Sequence, residues 1–174
     1  MQTEALAARI RLACTSDAAQ LAALGMQVWL HTYATEGISP EIASYVLATF
    51  TQPQLSELLA NPASSVIVAE HNACLIGYAV LNWNAVCPIA SNANAELATL
   101  YIQEHFTGQR IGSALLAQAQ SIARERAQQS IWLTVNANNH RAIAFYTKHH
   151  YINKGETYFR LGDTDHQNYV FVSP

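Results

Sequence analysis

Charged residues are scarce in this chain of 174 residues. Asp, Glu, Lys and Arg together make up 12% of it, against about 25% in a typical soluble domain. The formal net charge is -3, whereas a nucleic-acid-binding protein needs a basic face. We therefore expect no nucleic-acid partner. A slight negative charge is compatible with a cationic substrate.

Cysteine is also rare, and Cys14, Cys74 and Cys87 are widely spaced and outside any C-x-x-C pattern. An odd number at these spacings argues against a disulfide framework or a zinc site. Metal-ligand spacing is likewise lacking among the histidines that we expect at the surface, which are His105, His140, His149, His150 and His166. We expect no bound metal.

Long apolar segments are missing too. None follows a basic region at the N-terminus, and no later segment approaches the length of a membrane span. These absences predict a cytoplasmic protein with no membrane partner. The length suits a single domain, residues 1–174, with a hydrophobic core of its own.

The apolar patterns that are present predict strands and helices in a mixed order. Strands are predicted at 9–13, 65–70, 74–83, 97–102, 131–135, 151–161 and 168–172, and helices at about 15–33, 41–50, 54–59, from 111 onward and within 136–150. We predict a hairpin turn at residues 71–73 and a polar turn at 162–167 between two antiparallel edge strands. A helix links 97–102 to 131–135, so these strands should pair in parallel through a right-handed crossover. The fold class is α/β with a mixed sheet.

Residues 95–116, AELATLYIQEHFTGQRIGSALL, change from strand to polar loop to helix. The helix shows an apolar stripe at Ile111, Ala114, Leu115, Ala119 and Ile122. Its first N–H groups have no intrahelical partners and its dipole is positive at that end, which suits a bound phosphate.

The side chains around this helix start agree with such a site. Gly108 tolerates a positive φ, and Gly112, with no Cβ, lets phosphates come close. Gln109 and Arg110 add a polar and a cationic side chain. The alternative is an ordinary strand-to-helix loop with two convenient glycines.

Two motifs resemble those of the GNAT superfamily of N-acetyltransferases. LYIQEHFTGQRIGSALL is similar to the family's LY-(V/I)-x-P-x-(F/Y)-x-G-x-x-I-G-x-x-L-L. The family's loop signature is Q/R-x-x-G-x-G/A, and Thr107, Arg110 and Gly112 fall on its three defined positions. Only Gly112 fits. VNANNHRAIAFYTKHHY resembles V-x-x-x-N-x-R-A-I-x-x-Y-x-x-x-G-F through Asn139, Arg141, Ala142, Ile143 and Tyr146. His150 and Tyr151 replace the usual glycine and phenylalanine.

The resemblance implies the GNAT fold over nearly the whole chain. That fold has a twisted mixed sheet, splayed between its two parallel central strands, with helices on both faces. It also implies acetyl-CoA as co-substrate. The residues expected to contact coenzyme A are Leu100, Tyr101, Ile102, Thr107, Gly108, Gln109, Arg110, Ile111, Gly112, Ser113 and Asn139.

The resemblance further assigns catalytic roles. Tyr146 matches the family's tyrosine that protonates the departing thiolate, and the alternative is a core tyrosine with a backbone partner. Glu96 matches an acidic residue that relays the amine's proton in several members, and the alternative is a solvent-facing residue at a strand end. A backbone N–H near Tyr101 would face the thioester carbonyl. Asn139 would also cap its helix.

The acceptor side is expected around the first helix, because that region overhangs the acceptor in this fold. The candidates are Trp29, His31, Tyr33 and Glu36. WLHTY and the ending TYFRLGDTDHQNYVFV resemble the PaiA-type polyamine acetyltransferases, with matches at Phe159, Leu161, Gly162, Asp163 and Gln167. Asn168 stands where an aspartate is usual.

The hypothesis that follows is an acetyl-CoA-dependent N-acetyltransferase acting on a small, polyamine-like primary amine. Two alternatives stay open. One is acetylation of a protein N-terminus or lysine, because this fold serves many acceptors. The other is a non-catalytic acyl-CoA-binding regulatory module. A homodimer is compatible with the sequence.

Overall fold

The computed structural model describes residues 7–90, 92–128 and 130–174. Within them the strands are β1 (Arg9–Leu12), β2 (Ser64–His71), β3 (Cys74–Trp83), β4 (Ala95–Ile102), β5 (Ile131–Asn136), β6 (Ile152–Leu161) and β7 (Thr164–Val172). The helices are α1 (Ala18–Tyr33), α2 (Pro40–Thr49), α3 (Gln52–Ala60), α4 (Ile111–Glu125) and α5 (His140–Lys148), and 3₁₀ turns cover Thr15–Asp17 and Glu104–Phe106.

The strands form a seven-stranded mixed sheet in the order β1-β2-β3-β4-β5-β7-β6. β4 and β5 pair in parallel, with Ala95 opposite Ile131 and Glu96 opposite Trp132. β7 lies antiparallel between β5 and β6. The predicted α/β class, the parallel central pair and the antiparallel edge pair are confirmed.

The chain divides into two compact units. The first contains the described residues up to Val80 together with Thr99–Ala119, and the second contains Leu81–Ala98 and the residues from Gln120 onward. Strands β3 and β4 each contribute residues to both units. A single domain over residues 1–174 stays a prediction.

The core of the first unit forms where α1 and α3 pack on β2 and β3. Leu21 and Leu24 of α1 and Leu55 of α3 lie in one buried cluster with Val68 and Tyr78. Burying one such leucine contributes about 2 kcal/mol. β2 reaches β3 through Asn72 and Ala73, which have φ of 49° and 61°, as a type I′ turn requires.

The second unit has its own buried cluster around Trp132 of β5. Val170 and Val172 of β7 pack there with Cys87 and Ala93. The indole Nε1 of Trp132 donates to the carbonyl of Ala85 at 2.7 Å, so the one polar atom of this side chain is paired.

Two details of the sequence analysis are wrong. The turn predicted at 162–167 is shorter, because β7 already begins at Thr164 and Leu161 pairs with Thr164. Strand pairing uses backbone groups, so polar residues extend β7 against the hydrophobicity pattern. Ala114 is exposed in α4, and Leu116 is buried instead.

A buried carboxylate joins β1 to the start of α1. Asp17 is only 4% exposed and accepts hydrogen bonds from Arg11 Nη1 at 2.7 Å and from the N–H of Cys14 at 2.8 Å. Arg11 Nε also donates to Glu70 of β2 at 2.8 Å. The Arg11 guanidinium lowers the pKa of Asp17 to about 2. Asp17 therefore stabilises the fold mainly as an anion.

We expect Asp17→Asn to lower the free energy of unfolding by about 2 kcal/mol at pH 7, the energy equivalent of the lowered pKa. A folded-state pKa below the ordinary 3.8 means that the contribution is complete above pH 4 and disappears as the pH falls toward 2. Urea unfolding at pH 7, 5 and 3 measures the difference between variant and parent. Asp163→Asn, at an exposed position, is the matched control and should change little. Equal stabilities at pH 7 would show that Asp17 contributes nothing.

Candidate active site

The loop between β4 and α4 is closed by its own hydrogen bonds. After the 3₁₀ turn, Thr107 Oγ1 donates to the carbonyl of Glu104 at 2.8 Å, and Gln109 Nε2 donates to the carbonyl of His105 at 3.2 Å. Gly108 has a φ of +77°, a conformation that favours glycine. The loop is therefore a tight turn, held by its own hydrogen bonds, that leads directly into the first residue of α4.

Arg110 ends this loop in a left-handed conformation, with a φ of 63°. Its side chain is exposed, and its carbonyl accepts the N–H of Ala114 at 3.0 Å, which closes the first turn of α4. The N–H groups of the first turn lack intrahelical partners and lie at the positive end of the helix dipole. A cation and a helix N-terminus thus occur together, and both favour the binding of an anion.

β4 leads into this loop with Leu100, Tyr101 and Ile102, which are all half-buried. β3 lies very close to this end of β4: a Cβ added to Gly77 would lie 2.8 Å from the Tyr101 carbonyl oxygen. The register of β4 with β5 covers Ala95 and Glu96 and, within the described strands, none of residues 99–102. These residues have no strand of the described chain on their β5 side.

Aromatic side chains connect the predicted acceptor residues of α1 to β4. Trp29 is 5% exposed, and its ring lies 5.0 Å from Tyr33 and 4.8 Å from Tyr45. Phe50 contacts Tyr45 at 6.4 Å and Tyr101 at 6.4 Å between ring centroids. Trp29 is thus packed in the interior, whereas Tyr33 is 38% exposed.

Two polar contacts link α1 to the start of the loop, and the sequence did not indicate them. Gln103 Nε2 donates to Gln27 Oε1 at 3.0 Å, and His31 Nε2 lies 3.6 Å from Glu104 Oε2. Gln27 and His31 are one helical turn apart and so share a face of α1. The predicted acceptor residue His31 therefore contacts the loop itself, while Glu36 is exposed.

In the second unit, Glu96 of β4 is half-buried and has a side-chain donor. Asn82 Nδ2 of β3 donates to Glu96 Oε2 at 3.3 Å. A carboxylate held by an amide and still partly open to solvent can accept a proton directly or through water. The sequence analysis missed Asn82, because nothing in its local pattern distinguishes it from an ordinary strand residue.

Asn139 and Tyr146 lie on α5. Asn139 Oδ1 accepts the N–H of Ala142 at 3.0 Å, so the predicted helix cap is present. Tyr146 is 7% exposed, and its ring lies 5.2 Å from Phe145 and 5.7 Å from Tyr151. Burial raises the pKa of Tyr151 to about 12, which keeps that hydroxyl neutral.

The predicted residues thus form one group in each unit. The loop, the end of β4 and the α1 residues are in the first unit, and Glu96, Asn139 and Tyr146 are in the second. Across the described ranges, no three His, Cys, Asp or Glu side chains are grouped as metal ligands. No helix in the described part of the chain is both long and apolar enough to cross a membrane.

The chain as a whole is similar to known acetyltransferases. The model of the acetyltransferase (GNAT) family matches residues 27–151. An uncharacterised N-acetyltransferase of Mycobacterium tuberculosis is 30% identical over 158 residues, which is 90% of this chain and 97% of that protein. The spermidine N(1)-acetyltransferase of Thermoplasma acidophilum is 25% identical, over 92% of this chain and 93% of its own.

Solved structures agree on the fold. The PaiA N-acetyltransferase of Thermoplasma acidophilum, crystallised in complex with coenzyme A, superposes with a TM-score of 0.73 at 23% identity, covering 96% of this chain and 98% of that one. A probable acetyltransferase of Staphylococcus epidermidis superposes with a TM-score of 0.76 at 16% identity, covering 95% and 98%.

The left-handed conformation of Arg110 has a testable cost. In the left-handed region a non-glycine residue destabilises the folded state by about 1–2 kcal/mol. Replacing it by glycine removes this strain, but glycine also raises the conformational entropy of the unfolded chain, which cancels part of the stabilisation. We expect Arg110→Gly to raise the free energy of unfolding by about 0.5–1 kcal/mol in urea titrations. Arg110→Ala removes the same charge but keeps the Cβ, so it should give no gain. A gain in both variants would mean that the charge, and not the backbone, is unfavourable.

Proposed function

The chain belongs to the acetyltransferase (GNAT) family and is an acetyl-CoA-dependent N-acetyltransferase, and we propose that its acceptor is a small cationic amine of the polyamine type. The observation that carries the acceptor proposal is the similarity to a spermidine N(1)-acetyltransferase over 92% of the chain. A GNAT domain by itself does not define the acceptor.

The start of α4 fits the phosphates of coenzyme A. Left-handed residues at 108 and 110 bring the chain to the helix start, and the Arg110 side chain adds an exposed positive charge. The residues proposed to hold coenzyme A are Thr107, Gly108, Gln109, Arg110, Ile111, Gly112 and Ser113, with Leu100, Tyr101, Ile102 and Asn139 toward the pantetheine arm. The thioester supplies the activated acetyl group.

Proton transfer from the acceptor is the role proposed for Glu96. An ammonium with a pKa near ~10 cannot attack a carbonyl until it loses a proton. Glu96 accepts that proton directly or through water, and Asn82 orients the carboxylate from 3.3 Å. The freed amine nitrogen then attacks the acetyl carbonyl carbon, whose developing oxyanion a backbone N–H near Tyr101 stabilises.

Tyr146 is the proposed general acid. As the carbon–sulfur bond breaks, its hydroxyl donates a proton to the leaving thiolate, and coenzyme A departs as a neutral thiol. The ring contacts with Phe145 and Tyr151 hold the Tyr146 side chain in place.

We expect Tyr146→Phe to lower kcat by roughly 10²- to 10⁴-fold while the affinity for acetyl-CoA stays nearly unchanged, because only a proton of the transition state is lost. Thiol release measures kcat, and calorimetry measures affinity. Tyr151→Phe is the matched control: it removes a neighbouring buried hydroxyl and restores the residue usual in the motif. A kcat equal to the parent's in Tyr146→Phe would return Tyr146 to a packing role.

The proposed acceptor subsite lies at the C-terminal end of α1. Tyr33 is exposed, His31 contacts Glu104, and Glu36 is an exposed carboxylate just beyond the helix. An aromatic face and a carboxylate both attract ammonium groups. Asp163 and Asp165 are further exposed carboxylates, but both lie 3.8 Å from Arg160, so their negative charge is partly balanced.

Spermidine should support thiol release from acetyl-CoA, with a KM that rises with ionic strength because the contributing carboxylate is exposed. Glu36→Gln should raise that KM about 2- to 5-fold, the effect of losing one exposed pair. Glu57→Gln removes an equal charge from the exposed side of α3 and should leave the KM unchanged. Turnover of a peptide N-terminus, with none of spermidine or spermine, would replace this acceptor by the protein-acetylating alternative.

A further inference from the structure

β6 stands at the end of the strand order, with β7 as its neighbour. No strand of the described chain pairs with its outer edge. Most of its residues are exposed, including Ile152 and Tyr158, which is 64% exposed. A long edge strand without proline presents a row of backbone donors and acceptors to any strand that can approach it.

The regular part of this edge is symmetric about one residue. The pairing of β6 with β7 shifts between Asn153 and Gly155, and from Gly155 to Leu161 it runs without interruption. Tyr158 is the midpoint of that stretch. An antiparallel copy of β6 that uses the whole regular stretch must therefore place Tyr158 opposite its own counterpart.

The charges on the strand are self-complementary in that same register. Glu156, Tyr158 and Arg160 alternate along β6, so they share one face, and all three are exposed. A two-fold axis at Tyr158 sets Glu156 of each copy opposite Arg160 of the other. Opposite charges facing each other across an antiparallel pair contribute about 0.2–1 kcal/mol per pair.

Neighbouring registers lack this match. A two-fold axis at Thr157 would set Lys154 opposite Arg160, two like charges. An axis at Phe159 would set Glu156 opposite Gly162, beyond the end of the strand. The charge pattern and the strand geometry therefore select the same register independently.

We propose that the outer edge of β6 binds a second copy of this chain, as an antiparallel strand pair centred on Tyr158. The partner is this chain because the edge complements itself, as an isologous two-fold interface requires. The backbone groups of the edge pair across the axis, and the two Tyr158 rings meet at its centre. The low net charge of -3 opposes this association only weakly.

Charge reversal tests the proposal by sedimentation velocity from 5 to 200 µM. The parent should be dimeric, Glu156→Arg should raise the dissociation constant at least tenfold, and the double variant Glu156→Arg/Arg160→Glu should restore dimerisation. Glu156→Arg leaves the contacts of Arg160 with Asp163 and Asp165 in place, so it isolates the intermolecular effect. Arg124→Glu, a reversal at an exposed position of α4, is the control and should dimerise like the parent.

A cysteine at the centre tests the register. In a Cys14→Ser/Cys74→Ser background, Tyr158→Cys should form an intermolecular disulfide on oxidation, because only residue 158 faces itself across the axis. Thr157→Cys faces residue 159 of the partner and should crosslink poorly. A parent monomeric at 200 µM, a double variant that stays dissociated, or crosslinking favoured at 157 would each overturn the proposal.

Discussion

The backbone groups of a central strand need hydrogen-bond partners on both sides. This requirement matters most at β4, which lies in the middle of the sheet. On one side, β3 approaches so closely that Gly77 has no room for a Cβ against the Tyr101 carbonyl. On the other side, the pairing of β4 with β5 within the described strands covers Ala95 and Glu96. Residues 99–102 have no strand of the described chain on that side, which is the side proposed for the pantetheine arm of coenzyme A.

The loop after β4 combines local strain with local charge. Gly108 and Arg110 both adopt positive φ, but only glycine does so without steric cost. Keeping an arginine at position 110 retains a cation beside the first N–H groups of α4. Backbone strain of this kind is frequent at functional sites, and the strained residue Arg110 also carries the positive charge of the proposed phosphate site.

Because charged residues are few, each ion pair acts locally. The contacts of Arg11 with Asp17 and Glu70 fasten β1, β2 and the start of α1 to one another, and Asp17 is buried. The contacts of Arg160 are exposed and long, and such pairs add little to stability. Packing in the first unit comes from the buried aliphatic cluster around Leu21 and Leu55, together with the aromatic contacts from Trp29 to Tyr101. The low net charge of -3 also leaves the β6 edge without strong repulsion against its own copy.

Local pattern in the sequence determined the elements and the mixed α/β class, since strand alternation, helix stripes and the Asn139 cap are encoded within a few residues. The phosphate role of the loop before α4 stays a prediction. The family motifs placed Tyr146 and Glu96 by position alone. Only the tertiary structure decided that Asn82 donates a hydrogen bond to Glu96, that His31 contacts Glu104 and that Trp29 packs against Tyr45. These contacts join residues far apart in the chain, and periodicity carries no information about them. The sequence analysis did not predict the polar residues at the start of β7, because backbone pairing with β6 places them in the strand. It did not predict the left-handed Arg110, because its conformation follows from the chain reversal before α4. Side-chain polarity indicates neither.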